Sequence, residues 1–181
     1  MTTEQLEKIL RTYSITRSKY RDLDIEAQNF PYMLTTFREL IIEEVPPTQD
    51  KFIEVFLSKY STIKKRGIIS RLRRAYLSYI REYHLGFLLQ EVFENVKYDI
   101  EADLAGIDYT LNFNNKIYFL HAYVDTEASR GWRETKNGRH RFVGEHIDLP
   151  FDLSRGKRVG KFLLYQKSTI LSLRKSLSGL Q

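Results

Sequence analysis

The residues best suited to chemistry lie between positions 106 and 125, where two runs rich in β-forming residues flank Asn114-Asn115. An Asn-Asn step between two such runs is typical of a tight β-hairpin turn. A turn at this step places Asp108 directly across from His121. Because side chains alternate along a strand, one face of the hairpin then carries four polar residues. These residues are Asp108, His121, Tyr123 and Asp125.

The other face of the same hairpin is almost wholly apolar and is predicted to face the core. It carries Ile107, Tyr109, Leu111, Phe113, Tyr118, Leu120, Ala122 and Val124. A hairpin with one buried face is expected to show polar residues on the other, so the polar face has a purely structural interpretation as well. Both interpretations stay open at the level of the hairpin alone.

The composition limits the class of protein. The chain has 181 residues, of which 42% are hydrophobic and 13% aromatic, enough for one domain with a core or a domain with a helical extension. Without cysteine, disulfides, thiolate catalysis and zinc ribbons are excluded. The sequence has no apolar run of about 20 residues and no secretory signal at its start. We therefore expect a cytoplasmic protein with no membrane partner.

Charge is distributed unevenly along the chain. Residues 98–129, which include the hairpin, carry a net charge of −5. The segments on either side are basic, with +6 over residues 59–97 and +8 over residues 130–181, whereas residues 1–58 carry −3. Basic surface around an acidic centre suits a metal-dependent enzyme acting on a polyanion, because Lys and Arg bind phosphates while carboxylates bind the cation. We expect nucleic acid as the partner.

The elements that must position these residues follow from the hydrophobic periodicity. Helical spacing predicts helices over 4–13, 32–44, a segment capped by Thr48, a long helix over 68–93, and 167–177. From Val96 the period changes to 2, which predicts strands over 96–103, 105–113, 116–125, 146–153 and 159–165. The division expected is a helical N-terminal region, 1–67, and an α/β domain, 68–181.

The order of these features resembles the PD-(D/E)xK nuclease superfamily, which includes restriction endonucleases. A long helix with Glu82 and Glu91 is followed by a strand, by Gly106-Ile107-Asp108 and by a strand with alternating polar groups. In that superfamily a helix often supplies a Glu, a hairpin strand supplies an Asp, and the next strand supplies an acid-x-Lys motif. The resemblance implies an α/β (α+β) fold: a restriction-endonuclease-like mixed sheet flanked by helices, after the helical N-terminal region.

The resemblance also implies a divalent-metal-dependent endonuclease that cleaves DNA with Mg²⁺ or Mn²⁺. In it, paired acids bind the cation and the Lys orients or activates the attacking water. The catalytic candidates are Asp108, His121, Tyr123 and Glu82, and the metal-ligand candidates are Asp108, His121, Asp125 and Glu91. The chain departs from the pattern because His121-Ala122-Tyr123 stands where the superfamily has Glu-x-Lys. Replacement cations from elsewhere in the chain are Lys97, Arg130, Arg133 and Lys136.

Basic and aromatic residues on both sides of the acidic segment are the candidates for nucleic-acid contact. They are Lys64, Lys65, Arg66, Arg71, Arg74, Arg130, Trp132, Arg133, Lys136 and Arg139. Two alternatives to the endonuclease remain. One is a protein with the nuclease fold that binds nucleic acid without cleaving it, and the other is an interaction module. In the latter, the N-terminal helices would dock a protein partner or a second copy of the chain.

Overall fold

The computed structural model describes residues 1–26, 28, 30, 32–60, 65–126 and 144–179. The helices are α1 (Thr3–Thr12), α2 (Leu23–Glu26), α3 (Tyr32–Glu39), α4 (Gln49–Lys59), α5 (Lys65–Val92), α6 (Ile100–Leu104) and α7 (Lys167–Ser178). The strands are β1 (Asn95–Lys97), β2 (Tyr109–Phe113), β3 (Lys116–Val124), β4 (Glu145–Phe151), β5 (Lys157–Val159) and β6 (Phe162–Leu164). The chain is thus mixed α/β, with a helical N-terminal region as predicted.

Contacts divide the chain into two compact units. The first contains Met1–Tyr83 and Arg158–Phe162, and the second contains His84–Lys157 and Leu163–Gln181. Helix α5 belongs to the first unit up to Tyr83 and to the second from His84. The domain boundary placed after residue 67 from the sequence stays a prediction.

The first unit is built on an aromatic core. Phe37, Phe52 and Phe56 have no solvent exposure, and neither has Tyr76. Phe37 and Phe52 meet edge to face, with ring centroids 6.0 Å apart, a geometry that aromatic pairs prefer. The hydroxyl of Tyr76 donates to the carbonyl of Pro47 at 2.8 Å, and burial raises the pKa of this phenol. The polar atom of the buried ring is therefore hydrogen-bonded, as burial requires.

The second unit contains a four-stranded mixed sheet with the order β1-β2-β3-β4. Strands β1, β2 and β3 pair antiparallel, whereas β4 pairs parallel to β3. Tyr109 lies opposite Leu120, which is the register that a turn at Asn114-Asn115 predicts. Asn114 and Asn115 have φ angles of 52° and 60°, the left-handed values that a two-residue hairpin turn of type I′ requires. The predicted hairpin is confirmed.

One face of this sheet forms the core of the second unit, and helices flank the sheet. The sheet contributes Tyr109, Leu111, Tyr118, Leu120, Leu149 and Phe151 to a buried cluster. Helices α5 and α7 contribute Leu85, Leu88, Leu89, Val92, Ile170 and Leu177 to the same cluster. The apolar face predicted for the hairpin is therefore the core face, and the fold class is confirmed as a mixed sheet flanked by helices.

Two predicted strands take a different form in the structure. The strand predicted over 96–103 ends at Lys97, and α6 follows it. Asp99 is the N-cap of α6, since its carboxylate accepts hydrogen bonds from the amides of Glu101 and Ala102 at 2.8 and 2.9 Å. This capping favours a short helix over an extended strand. The strand predicted over 159–165 is instead the pair β5 and β6, which meet at a turn where Gly160 has a φ of +54°.

A close approach of helix and sheet makes Gly86 a test of the packing in the second unit. A Cβ added at Gly86 would lie 2.5 Å from the hydroxyl oxygen of Tyr109, a ring only 4% exposed. We expect Gly86→Ala to lower the free energy of unfolding. Overpacking costs about 1–3 kcal/mol, which outweighs a gain of at most about 1 kcal/mol in helix propensity. Urea unfolding measures the change.

The matched control is Gln90→Ala, an exposed position on the same helix, for which we expect a change within about 0.5 kcal/mol. A Gly86→Ala protein as stable as the wild type would contradict the packing of α5 against β2.

Candidate functional site

Asp108 directly precedes β2, and hydrogen bonds to β3 fix its position. Its amide donates to the carbonyl of Leu120 at 2.9 Å, which is the residue opposite Tyr109 and not His121, the partner predicted for Asp108. Its side-chain Oδ2 accepts from the amide of Ala122 at 2.5 Å. The half-buried carboxylate is thus anchored to the backbone of the neighbouring strand.

Gly106 forms the turn between α6 and β2. Its φ is +96°, a conformation that L side chains rarely adopt. Its amide donates to the carbonyl of Asp103 at 2.8 Å, and the amide of Ile107 donates to Ala102 at 2.9 Å. Nothing lies within 4 Å of a Cβ built at Gly106, so the requirement for glycine comes from the backbone conformation and not from space.

This turn brings Asp103 and Asp108 together. Each offers a carboxylate oxygen, and the two oxygens lie within 4.8 Å of each other. Both side chains are half-buried. Such a separation is compatible with one cation bonded to both oxygens at about 2.0–2.6 Å, the range for Mg²⁺ and Ca²⁺. The sequence prediction missed Asp103, although the capping residue Asp99 and the glycine at 106 could have indicated a short helix ending beside Asp108.

The polar face of the sheet also holds a pair of histidines. His121 is 8% exposed; its Nδ1 lies 2.5 Å from the carbonyl oxygen of Gly106 and its Nε2 lies 2.8 Å from Nδ1 of His146. His146 is exposed and lies on β4 next to Phe119 of β3. The sequence prediction included His121 and missed His146, because only the parallel pairing of β3 with β4 places it there.

The remaining metal candidates, Asp125 and Glu91, and the catalytic candidate Tyr123 have other contacts. The amide of Asp125 donates to the carbonyl of Phe151 at 3.0 Å, and Glu91 pairs with Lys167 at 2.7 Å. Tyr123 is half-buried on β3 opposite Pro150. Three ligand atoms within 4.8 Å of one another would mark a possible metal site. Within the described residues, no such group contains an atom of His121, Asp125 or Glu91. The roles assigned to these residues stay predictions.

Glu82 belongs to the first unit and pairs there with Arg38. The two charged groups lie 3.0 Å apart, and their side chains are 16% and 12% exposed. The guanidinium of Arg38 also lies over the ring of Tyr83, 5.6 Å from its centroid. Glu82 thus forms a half-buried ion pair, and its catalytic role stays a prediction.

Two of the predicted nucleic-acid contacts bind the chain's own backbone in the first unit. Arg71 donates to the carbonyl of Gln28 at 2.7 Å and lies over the ring of Phe30 at 4.9 Å. Burial lowers the pKa of Arg71, and the nearby Glu26 opposes this shift. Arg74 donates to the carbonyl of Tyr20 and to the carboxylate of Glu26.

The structure does not describe the side chains of the other predicted nucleic-acid contacts. Lys65 and Arg66 begin α5. The remaining six lie outside the described residues: Lys64, Arg130, Trp132, Arg133, Lys136 and Arg139. Their contact with nucleic acid stays a prediction.

Compared with known protein families, with characterised proteins and with solved structures, the chain shows no match to any of them. The resemblance to the PD-(D/E)xK superfamily therefore stays a hypothesis that rests on the residues quoted for it. Among the helices that the structure describes, none is both long and apolar enough to cross a membrane.

Replacing Gly106 tests whether its conformation holds the site together. We expect Gly106→Ala to lower the free energy of unfolding by about 1–2 kcal/mol, because a Cβ is strained at positive φ. Chemical denaturation measures this change. Gly179→Ala is the matched control: Gly179 has a φ of −88°, and its nearest neighbour would lie 3.7 Å from the new Cβ. Equal stability of the two variants would contradict the turn described here.

Proposed function

We propose that this chain is a divalent-metal-dependent phosphodiesterase that cleaves nucleic acid, as an endonuclease acting on DNA. The observation that supports this proposal best is the approach of Asp103 to Asp108 at the start of β2. Asp108 occupies the position where the resemblance to the PD-(D/E)xK superfamily expects a metal-binding aspartate. Asp103 supplies a second carboxylate from the short helix that precedes it.

The donor set fits a hard cation. Carboxylate oxygens are the ligands that Mg²⁺ and Mn²⁺ prefer, and histidine nitrogen suits softer metals better. Asp103 and Asp108 would hold the ion, while the hydrogen bond from Ala122 orients the carboxylate of Asp108. A cation bound there would polarise a phosphoryl oxygen and assist ionisation of water. The basic segments 59–97 and 130–181, with net charges of +6 and +8, would attract the phosphates.

A second candidate function is nucleic-acid binding without cleavage. It is favoured by the sequence of β3, where His121-Ala122-Tyr123 replaces the Glu-x-Lys motif of the superfamily. An imidazole and a phenol do not supply the charges of a glutamate and a lysine. This candidate predicts binding that weakens steeply with salt and needs no divalent metal.

A third candidate is an interaction module in the first unit. Leu23 and Ile42, which are 81% and 70% exposed, are large apolar side chains that a protein partner or a second copy of the chain would cover. This candidate predicts that the complex with the partner, or with a second copy of the chain, still forms when Asp108 is substituted.

A cleavage assay distinguishes the first two candidates. Plasmid and single-stranded DNA are incubated with Mg²⁺, Mn²⁺ or EDTA, and we expect cleavage only with a metal. Asp103→Asn and Asp108→Asn should each reduce the rate by about 100-fold or more, because metal-assisted charge stabilisation contributes several kcal/mol. Asp152→Asn is the control, an exposed carboxylate beside Ser154, and should cleave like the wild type. DNA binding without cleavage under all conditions would favour the second candidate.

Thermal unfolding tests metal binding independently of catalysis. Mn²⁺ at about 100 times its Kd should stabilise the wild type by about 2.7 kcal/mol and leave Asp108→Asn unchanged. Without metal, Asp108→Asn should be at least as stable as the wild type, because it removes repulsion between neighbouring carboxylates. Asp108 would instead have a structural role if Asp108→Asn were less stable than the wild type and if Mn²⁺ left the stability of the wild type unchanged.

A further inference from the structure

The polar face of the sheet also carries aromatic side chains. Four residues of this face stand side by side in register, one on each strand. They are Lys97 on β1, Thr110 on β2, Phe119 on β3 and His146 on β4. Leu111 and Leu120, which follow two of them in sequence, belong to the core, so alternation directs this cross-strand row away from the core.

The rings of Phe119 and His146 are neighbours in the cross-strand row. Their centroids lie 5.2 Å apart, and the ring planes are tilted by 41°. Gly144, just before β4, leaves the space in which the Phe119 ring lies, since a Cβ built at Gly144 would be 2.5 Å from that ring. His146 is exposed and Phe119 is half-buried. The row thus presents two adjacent rings that solvent reaches.

A hydrogen bond restrains the exposed ring of His146. Its Nδ1 lies 2.8 Å from Nε2 of His121, and the two ring planes are within 13° of parallel. His121 is buried and contacts the carbonyl of Gly106 through its other ring nitrogen. Because His146 is held by a buried residue, its ring would lose little conformational freedom when a ligand packs against it.

The cross-strand row offers the three kinds of contact that a nucleic acid strand needs. A flat ring stacks on a base, a hydroxyl bonds a base edge or a sugar, and an ammonium group binds a phosphate. Lys97 stands exposed at one end of the row, and three gaps between strands make the row about 14 Å long. The only hydrocarbon side chain in it is that of Phe119, whereas a protein partner covers a contiguous apolar patch.

The rings favour a single strand over a duplex. In a duplex the bases are stacked on one another and show only their edges in the grooves. The face of a base can meet an aromatic side chain only where that base is unpaired and unstacked. A row that binds through ring faces therefore selects unpaired bases.

We propose that the cross-strand row binds a single-stranded nucleic acid, with a base stacked on Phe119 and a phosphate on Lys97. This inference rests on the proposed function for its ligand, nucleic acid, and adds the form in which that ligand is bound. Thr110 follows Asp108 by two residues, so their Cα atoms are at most about 7 Å apart. The row therefore begins beside the carboxylate of Asp108, without contributing a residue to the metal site.

Binding of labelled DNA in EDTA tests the role of Phe119 without any cleavage. We expect Phe119→Leu to raise the Kd for a single strand by about 5- to 150-fold, the range for one lost base stack. Phe119→Tyr keeps the ring and should bind like the wild type. Leu171→Ala is the control, because Leu171 is an exposed apolar side chain on α7, and it should also bind like the wild type. The duplex of the same sequence should not distinguish Phe119→Leu from the wild type.

The salt dependence of the same binding tests Lys97, which is exposed and can be replaced without changing the core. We expect Lys97→Gln to make the slope of log Kd against log salt shallower by about 0.7, the value for one phosphate of a single strand. Lys175→Gln replaces an exposed lysine of α7 and should leave the slope unchanged. An unchanged slope for Lys97→Gln would overturn the phosphate contact.

The outcomes separate this inference from the proposed function. Equal affinity of Phe119→Leu and the wild type for a single strand would overturn the cross-strand row and leave the endonuclease standing. So would a wild type that cleaves DNA but binds only the duplex. Single-strand binding that needs Phe119, in a protein that never cleaves, would support the row and overturn the endonuclease. If Phe119→Leu instead weakened self-association in sedimentation and left DNA binding unchanged, the row would belong to a second copy of the chain and the inference would be overturned.

Discussion

The site depends on the left-handed backbone of Gly106. The amide of Gly106 donates to the carbonyl of Asp103 in the turn after α6, and the carbonyl of Gly106 contacts Nδ1 of His121. Two residues later, Asp108 directly precedes β2. Without a φ of +96°, Asp103 would not approach Asp108, and the carbonyl of Gly106 would not meet the ring of His121. The carboxylate pair and the contact of Gly106 with His121 therefore both depend on the same turn.

The hairpin register is the second constraint. Because side chains alternate with a period of two, a slip of β3 by one residue would move Leu120 out of the core and turn His121 towards it. The turn at Asn114-Asn115 and the buried face prevent this slip together. Strand β4 then adds His146 to the polar face by pairing parallel to β3. A core that fixes the register thus also fixes which polar groups share a face.

The sequence predicted what local patterns determine. The hairpin turn follows from Asn114-Asn115, and the core face from alternation. The N-cap at Thr48 begins α4 as expected, with its hydroxyl accepting from the amide of Lys51. The hydrophobic periodicity predicts the long helices, although the observed helix ends differ from the predicted ends by a few residues.

Non-local or very short features could not be predicted in the same way. Helix α6 has five residues, too few to show a 3.6-residue period, so Asp103 was assigned to a strand. His146 comes to lie beside His121 through a pairing between strands separated by a long connection, which no local pattern reveals. Arg71 was interpreted from its charge alone, and its bonds to backbone carbonyls depend on the packing of the first unit.

The most direct test of the central claim is a crystal structure of the protein soaked with Mn²⁺, with the ion located by its anomalous scattering. We expect a peak between the carboxylates of Asp103 and Asp108, bonded to an oxygen of each at about 2.0–2.6 Å. The histidine pair should remain hydrogen-bonded and carry no metal. Saturating Mn²⁺ with no peak at the two aspartates, or with a peak at His121 and His146 instead, would contradict the account.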